Sequence, residues 1–457
     1  MPEYNESSPT SIEDFGKRIS DKAFRDIIVE SPHFISEEKG TYEVLKKNKG
    51  NLGQLVEKYH FGYAPNSDAA PDFEEAGVEL KVTPYYRKKN GGYSAKERLV
   101  LNIINYHSIV EETFEKSAFW RKNSLLLLVH YFYEKELEQL DYQIKNVQLF
   151  QFPKKDIKII REDWERIKSK VVEGKAHELS ERDTNYLSAC TKGSTSEKSM
   201  RSQPFSEKPA KQRAFSLKGS YMTFILNDYI LKKKSTFDPS IYEETSDLSL
   251  EDHIIDRFEK YFGKTERELL ENLGIDDERK PKNIKALIAG RIFNENLNDL
   301  AKAEEIQKAD IKVKTIRVQK NGRVRESMSF PKFDYLDLVE QKWAESDLRN
   351  MFLEKKFLFI IFQEKEDGEF FLEDAKFWTI PDYDLEEHVR KVWEDTVEMI
   401  RTDDTGNLPA KSDSNYKVAH VRPHGRDKKD TLPLPSGREE VKRCFWLNND
   451  YILEQIN

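Results

Sequence analysis

Apolar and polar side chains alternate along Val78-Glu79-Leu80-Lys81-Val82, the two-residue period of a strand with one buried face. On that reading Glu79 and Lys81 stand side by side on the solvent face. Upstream, Leu52, Leu55, Val56 and Tyr59 recur at i, i+3, i+4 and i+7 and predict a helix over 49–59, with Glu57 off the apolar stripe. Arg98–Ile104 and the wholly apolar Leu125–Val129 predict two more strands, the second buried because polar residues bound it. Residues 156–175 and Tyr221–Leu231 carry helical patterning, and a weaker version spans Ile12–Ile28. Lys88-Lys89-Asn90-Gly91-Gly92 is a turn signal, and Arg201–Ala214 is polar and proline-dotted, as a loop would be. Strands alternating with helices predict an α/β fold, a mixed sheet flanked by helices.

The pattern then returns. Asn51–Phe61 resembles Asn283–Phe293, Ala76–Lys81 resembles Ala309–Lys314, and Asn185-Tyr186 returns as Asn415-Tyr416. Arg213-Ala214-Phe215-Ser216-Leu217 returns as Arg443-Cys444-Phe445-Trp446-Leu447. The matches are collinear at an offset of about 230 residues, which predicts a duplicated domain rather than a short-period solenoid. The expected organisation is a first domain over 1–232, a polar linker over 233–250 and a second domain over 251–457.

Composition narrows the class. Hydrophobic residues make up 37% of the 457, enough for packed cores, and no run approaches the length of a membrane span. The acidic start Met1–Glu6 is unlike a secretory signal, and Cys190 and Cys444 give neither a disulfide framework nor a zinc pattern. A cytoplasmic protein with no membrane partner is expected. The net charge is −8, yet 35% of residues are charged and the signs are segregated. Lys46-Lys47-Lys49, Arg87-Lys88-Lys89 and Lys208-Lys211-Arg213-Lys218 punctuate the first half. Nucleic acid needs a local basic surface rather than a basic total. Solvated surface charge is the commoner fate of any one such cluster.

Candidate chemistry centres on Pro71-Asp72 followed by Glu79-Leu80-Lys81. Carboxylates converging from neighbouring elements make a hard oxygen site suited to Mg²⁺, and a lysine beside it can hold a phosphate oxygen, the parts needed for phosphodiester hydrolysis. E-x-K alone is commonly a plain ion pair. The whole string, from Asp72-Phe73 to Gly77-Val78-Glu79-Leu80-Lys81, resembles PD-(D/E)xK nucleases. Within them it is similar to the MutH group and its GATC-cutting type II restriction relatives, the Sau-three-AI-like family.

That resemblance implies two tandem restriction-endonuclease-like domains and assigns further residues. Glu57, otherwise a surface glutamate, matches an active-site carboxylate, and Lys122, otherwise an edge lysine, matches a second active-site lysine. Asp72 and Glu79 become the Mg²⁺ ligands. Asn185–Gly193 matches a base-reading loop that places Lys192 and Gly193 on DNA; Lys49, Arg213 and Ser216 complete the expected DNA contacts. Ser216 stands where MutH has a tyrosine that senses adenine methylation. In the second copy Glu57, Asp72, Glu79 and Lys122 align with Ala289, Glu305, Lys312 and Glu354, and only Lys81 keeps its type, as Lys314. Replacing Glu79 by a lysine should abolish metal binding there, whereas Arg422 aligns with Lys192 and keeps a DNA-contact character. His420 and His424 are expected to be ordinary loop residues. The resemblance implies a type II restriction endonuclease acting on double-stranded DNA at GATC, 5′ to the G. One catalytic domain facing two antiparallel strands predicts a dimer on DNA, and a GATC methyltransferase is the expected system partner. A strand-nicking repair endonuclease, a non-catalytic sequence-specific DNA-binding protein and a non-nucleic-acid metal hydrolase are the rival readings.

Overall fold

A computed structural model describes residues 4–32, 52–64, 70–89, 91–192, 199–233, 249–275, 284–293, 295 and 297–457. Lys49, Gly193 and most of the expected linker lie outside the described residues. The chain divides into two compact units, Met1–Asp247 with Gln307–Asp310, and Leu248–Ile306 with Ile311–Asn457.

In the first unit the strands are β1 (Glu79–Arg87), β2 (Tyr93–Ala95), β3 (Leu99–Ile103), β4 (Leu125–Phe132), β5 (Gln143–Gln151), β6 (Leu187–Thr191), β7 (Met200–Gln203), β8 (Ser206–Lys211) and β9 (Arg213–Leu217). One sheet runs β2-β1-β4-β5 and a second β3-β9-β6, with β7-β8 a separate hairpin. β1 and β4 are parallel, in a register that sets Glu79 opposite Leu126 and Lys81 opposite Leu128. Leu126–Val129 are fully buried, and each such side chain stabilises the sheet by about 1.5–3 kcal/mol. This gives β1 a rigid neighbour along the residues that matter for chemistry. The helix Lys154–Val172 buries Ile160, Trp164, Ile167 and Val171, one face at helical spacing.

Three expectations need correction. Asn185–Gly193 is mostly strand, as β6, and Arg201–Ala214 is largely the β7–β8 hairpin followed by β9; backbone pairing outweighs the polar composition that suggested loops. Glu79 is 2% exposed rather than on a wet face, because the segment before the strand folds back over it.

The second unit contains β10 (Lys312–Val318), β11 (Met328–Lys332), β12 (Phe357–Glu364), β13 (Phe370–Trp378), β14 (Ala419–Pro423), β15 (Thr431–Pro433), β16 (Glu439–Val441) and β17 (Arg443–Leu447). Its sheets run β10-β12-β13 and β11-β17-β14. β10 and β12 are parallel, with Lys312 opposite Phe357 and Lys314 opposite Phe359. The other pairs in these two sheets are antiparallel. The order and directions follow β1-β4-β5 and β3-β9-β6 of the first unit.

Candidate active site

The site is built where a short turn enters β1. Phe73 and Val78 exchange backbone hydrogen bonds, 2.9 Å from Phe73 N to Val78 O and 3.2 Å in return. Closing so tight a loop requires a left-handed residue, supplied by Gly77 at φ 65°. The reversal carries Asp72 back beside Glu79. The Asp72 amide donates to Glu79 Oε2 at 3.1 Å, and the Leu80 amide donates to Asp72 Oδ2 at 2.9 Å. Lys81, two residues along the strand, donates from Nζ to Glu79 Oε1 at 2.6 Å. Lys122 arrives on the helix Ala118–Asn123, whose start is capped by Ser117, and its Nζ lies 3.7 Å from the same oxygen.

Glu57 enters from another direction. The helical turn Leu52–Leu55 continues as the π-helical stretch Val56–Phe61, ended by Gly62 at φ 79°. Leu52, Leu55, Val56 and Tyr59 are buried as their spacing predicted. Below, Phe73 packs edge-on against Phe61, centroids 5.0 Å apart, and against Tyr4 at 6.1 Å. This apolar floor sets the electrostatics. Burial first, then the charge of Asp72, pushes the Glu57 carboxyl up to about 7, against the pull of Lys81 and Lys122. Burial also raises Glu79, opposed by Lys81.

Glu57, Asp72, Glu79, Lys81 and Lys122 line one open cleft of about 740 Å³, together with Lys192, Asn102, Asn105, Ser108 and Arg121. All five expected catalytic residues therefore come together, and Lys192 with them. Lys192 follows directly on β6, its amide donating to Gln212 O at 2.9 Å. Asn102, Asn105, Ser108 and Arg121 had no sequence signal of their own. Arg121 could have been suspected from its place beside Lys122.

Two expected DNA contacts are placed elsewhere. Ser216 is fully buried, its hydroxyl 2.9 Å from that of Ser188 on the neighbouring strand; it belongs to the interior of the sheet, not to a groove. Arg213 donates to the Ala189 carbonyl at 2.7 Å and braces β9 to β6. In the second unit Arg422 is exposed, with its guanidinium 4.8 Å over the Trp446 ring. His420 is not a loop residue: it lies on β14, buried, with Nδ1 2.5 Å from Asn448 Oδ1. Lys314 keeps the register of Lys81 but donates to the Ser329 carbonyl at 3.3 Å.

The donor set of the first unit suits a divalent cation. Backbone amides hold Asp72 and Glu79 side by side, and the charge of Asp72, which after burial does most to lift Glu57, is negative charge such a cation relieves. Among the described residues no three His, Cys, Asp or Glu side chains form a ready-made metal cage. That is compatible with Mg²⁺, which takes one or two carboxylates and completes its shell with water and phosphate oxygens.

A turn carboxylate and a strand carboxylate side by side, with flanking lysines in an open cleft, are the parts of a phosphodiester-cleaving enzyme, and comparison with known proteins agrees. Residues 61–163 match the family model of the DNA mismatch repair enzyme MutH, so the first unit carries a MutH-like domain. The chain is 27% identical to the DNA mismatch repair protein MutH of Vibrio campbellii, over 42% of this chain and 84% of that protein. It is 30% identical to MutH of Shewanella amazonensis, over 31% of this chain and 62% of the relative. With the type II restriction enzyme Sau3AI of Staphylococcus aureus the identity is 37%, over 91% of this chain and 94% of the relative. The chain belongs to the family of type II restriction enzymes represented by Sau3AI and is a site-specific endonuclease. Among the described residues no helix is long and apolar enough to cross a membrane.

Proposed function

We propose that the first unit hydrolyses double-stranded DNA at GATC, 5′ to the G, in a Mg²⁺-dependent reaction. The observation that carries this is the cross-braced Asp72–Glu79 pair with Lys81 and Lys122 on one Glu79 oxygen. Asp72 and Glu79 would hold Mg²⁺, which when bound supplies Lewis acidity to the scissile phosphate and acidifies water. Lys81 leaves Glu79 Oε1 for a non-bridging phosphate oxygen and orients the attacking water beside it. Lys122 follows the same oxygen and neutralises charge that builds up on the phosphate. Glu57, poised near neutrality, takes the proton that the attacking water gives up. Lys192, on the wall of the same cleft, reads a base edge, most simply guanine O6 and N7. Self-association on DNA and a partner GATC methyltransferase complete the reading as a restriction system, since a single cutting site must otherwise act twice on antiparallel strands.

The second unit is read as a degenerate duplicate, an effector domain that binds DNA without cutting. Its common strand order and the exposed Arg422 support this, as does Lys312 at the register position of Glu79. Domain limits of 1–232 and 251–457 belong to the same proposal.

Two experiments test the reading. Enzyme stripped with EDTA should leave a GATC duplex intact until Mg²⁺ is returned; cutting of the duplex by stripped enzyme would overturn the metal assignment. A plasmid with two sites should be cut faster than one with a single site, and Arg422→Ala should remove the difference while basal cutting persists. Equal rates on both plasmids would reduce the second unit to a support.

A further inference from the structure

Tyr63 is used by none of the steps above, yet it ties the segment that carries Glu57 to the turn that carries Asp72. It follows Gly62 at the end of the helical segment, and its amide donates to the Glu57 carbonyl at 3.2 Å. Its ring stands edge-on to Phe73, the neighbour of Asp72, with centroids 5.5 Å apart at 83°. Phe61 packs on it at 6.5 Å. Tyr63 is thus fixed by its backbone to the Glu57 segment and by its ring to the Asp72 turn. It does not line the cleft. Its hydroxyl oxygen is shielded from solvent and has no hydrogen-bond partner among the described residues.

A buried hydroxyl without a partner is an uncommon feature that calls for a reason. Burial, then the charge of Asp72, and after it that of Glu57 and Glu79, push the phenol far above the usual tyrosine range. A phenol is protonated at neutral pH, and toward an ionised carboxylate, which only accepts, it can serve only as a donor. Asp72 already accepts from the Leu80 amide through Oδ2. A second donor would fix the carboxylate plane while its remaining lone pairs stay free for a cation, the task that outer hydrogen bonds perform around metal-binding carboxylates.

We propose that Tyr63 is a positioning residue of the metal site, its hydroxyl donating to the Asp72 carboxylate when that carboxylate takes a divalent cation. The inference rests on the metal assignment made above. It predicts a loss in Tyr63→Phe, which removes one oxygen and leaves the ring packing in place.

The test is Mn²⁺ binding to the full-length protein, followed by the paramagnetic signal of free Mn²⁺, alongside cleavage kinetics and melting of the metal-free protein. Tyr63→Phe should bind Mn²⁺ about 10-fold more weakly and lower kcat about 10-fold. KM for DNA and the metal-free melting temperature should not change. Wild-type Mn²⁺ affinity in Tyr63→Phe would overturn the inference, and so would a loss of affinity matched by a fall in metal-free melting temperature. Asp72→Asn separates this from the underlying reading: if it binds Mn²⁺ as wild type does, the metal assignment itself fails; if it loses binding while Tyr63→Phe does not, only the role of Tyr63 falls.

Discussion

Asp72 and Glu79 brace each other across the turn that enters β1: the amide of Asp72 donates to Glu79 Oε2, and the carboxylate of Asp72 accepts from the amide of Leu80. Backbone amides on the two sides of the turn therefore orient both acids before any ligand arrives. Asp72→Asn, Glu79→Gln and Lys81→Ala should each lower the cleavage rate by about 10³-fold or more. Turnover on a GATC plasmid and thermal melting check this together. A variant that folds and still cuts within a few-fold of wild type would remove that residue from the mechanism.

The raised carboxyls make a stability prediction for the metal-free protein. Glu57 sits near 7, and Glu79 is raised as well, so between the ordinary glutamate range and about 7 the folded state holds more protons than the unfolded one. Stability should therefore fall as pH rises from 5 to 8, opposite in sign to an acid held by a salt bridge. Glu57→Gln should flatten part of that slope and stabilise the metal-free protein at pH 8 by about 1–2 kcal/mol, after allowance for solvent screening. Denaturant midpoints across this range are the measurement, and an unchanged slope in Glu57→Gln would contradict the assignment.

How much of this was legible depends on how local the cause is. Asp72, Gly77, Glu79 and Lys81 fall within ten residues, and their alternation and turn chemistry are written in the sequence. Helical spacing likewise showed that Leu52, Leu55, Val56 and Tyr59 would be buried. Glu57, Lys122 and Lys192 carry no local signal of function and were found through family resemblance. The burial of Glu79 escaped because strand period alone does not show what folds back over a face. Ser216 and Arg213 were misplaced for a related reason: β9 lies between β3 and β6, and a pairing between distant strands is not visible in either strand. Tyr63 and Asn102 owe their places to contacts made only after folding.

Lys192 reaches the cleft from the end of β6 rather than from the acid cluster. Lys192→Ala should cost about 1–3 kcal/mol of discrimination between GATC and single-base variants, with cleavage chemistry preserved. Competition binding with matched oligonucleotides measures it. Unchanged specificity and affinity would take base reading away from Lys192.

Ser216 is sealed against Ser188 and is too short and too far inside the sheet to touch an adenine methyl group. Digestion of adenine-methylated and unmethylated plasmid should proceed at equal rates. Strong inhibition by N6-methyladenine would mean that another residue of the cleft senses the methyl group.

The claim that the first-unit cleft is the cutting site of a GATC restriction enzyme is tested most directly by mapping the ends made on a plasmid with one GATC. With Mg²⁺ the wild-type protein should produce linear DNA whose two ends carry four-base 5′ overhangs beginning at the G, while Asp72→Asn leaves the circle closed. Persistent nicked circles, ends at other sequences, or linear product from Asp72→Asn would contradict the account.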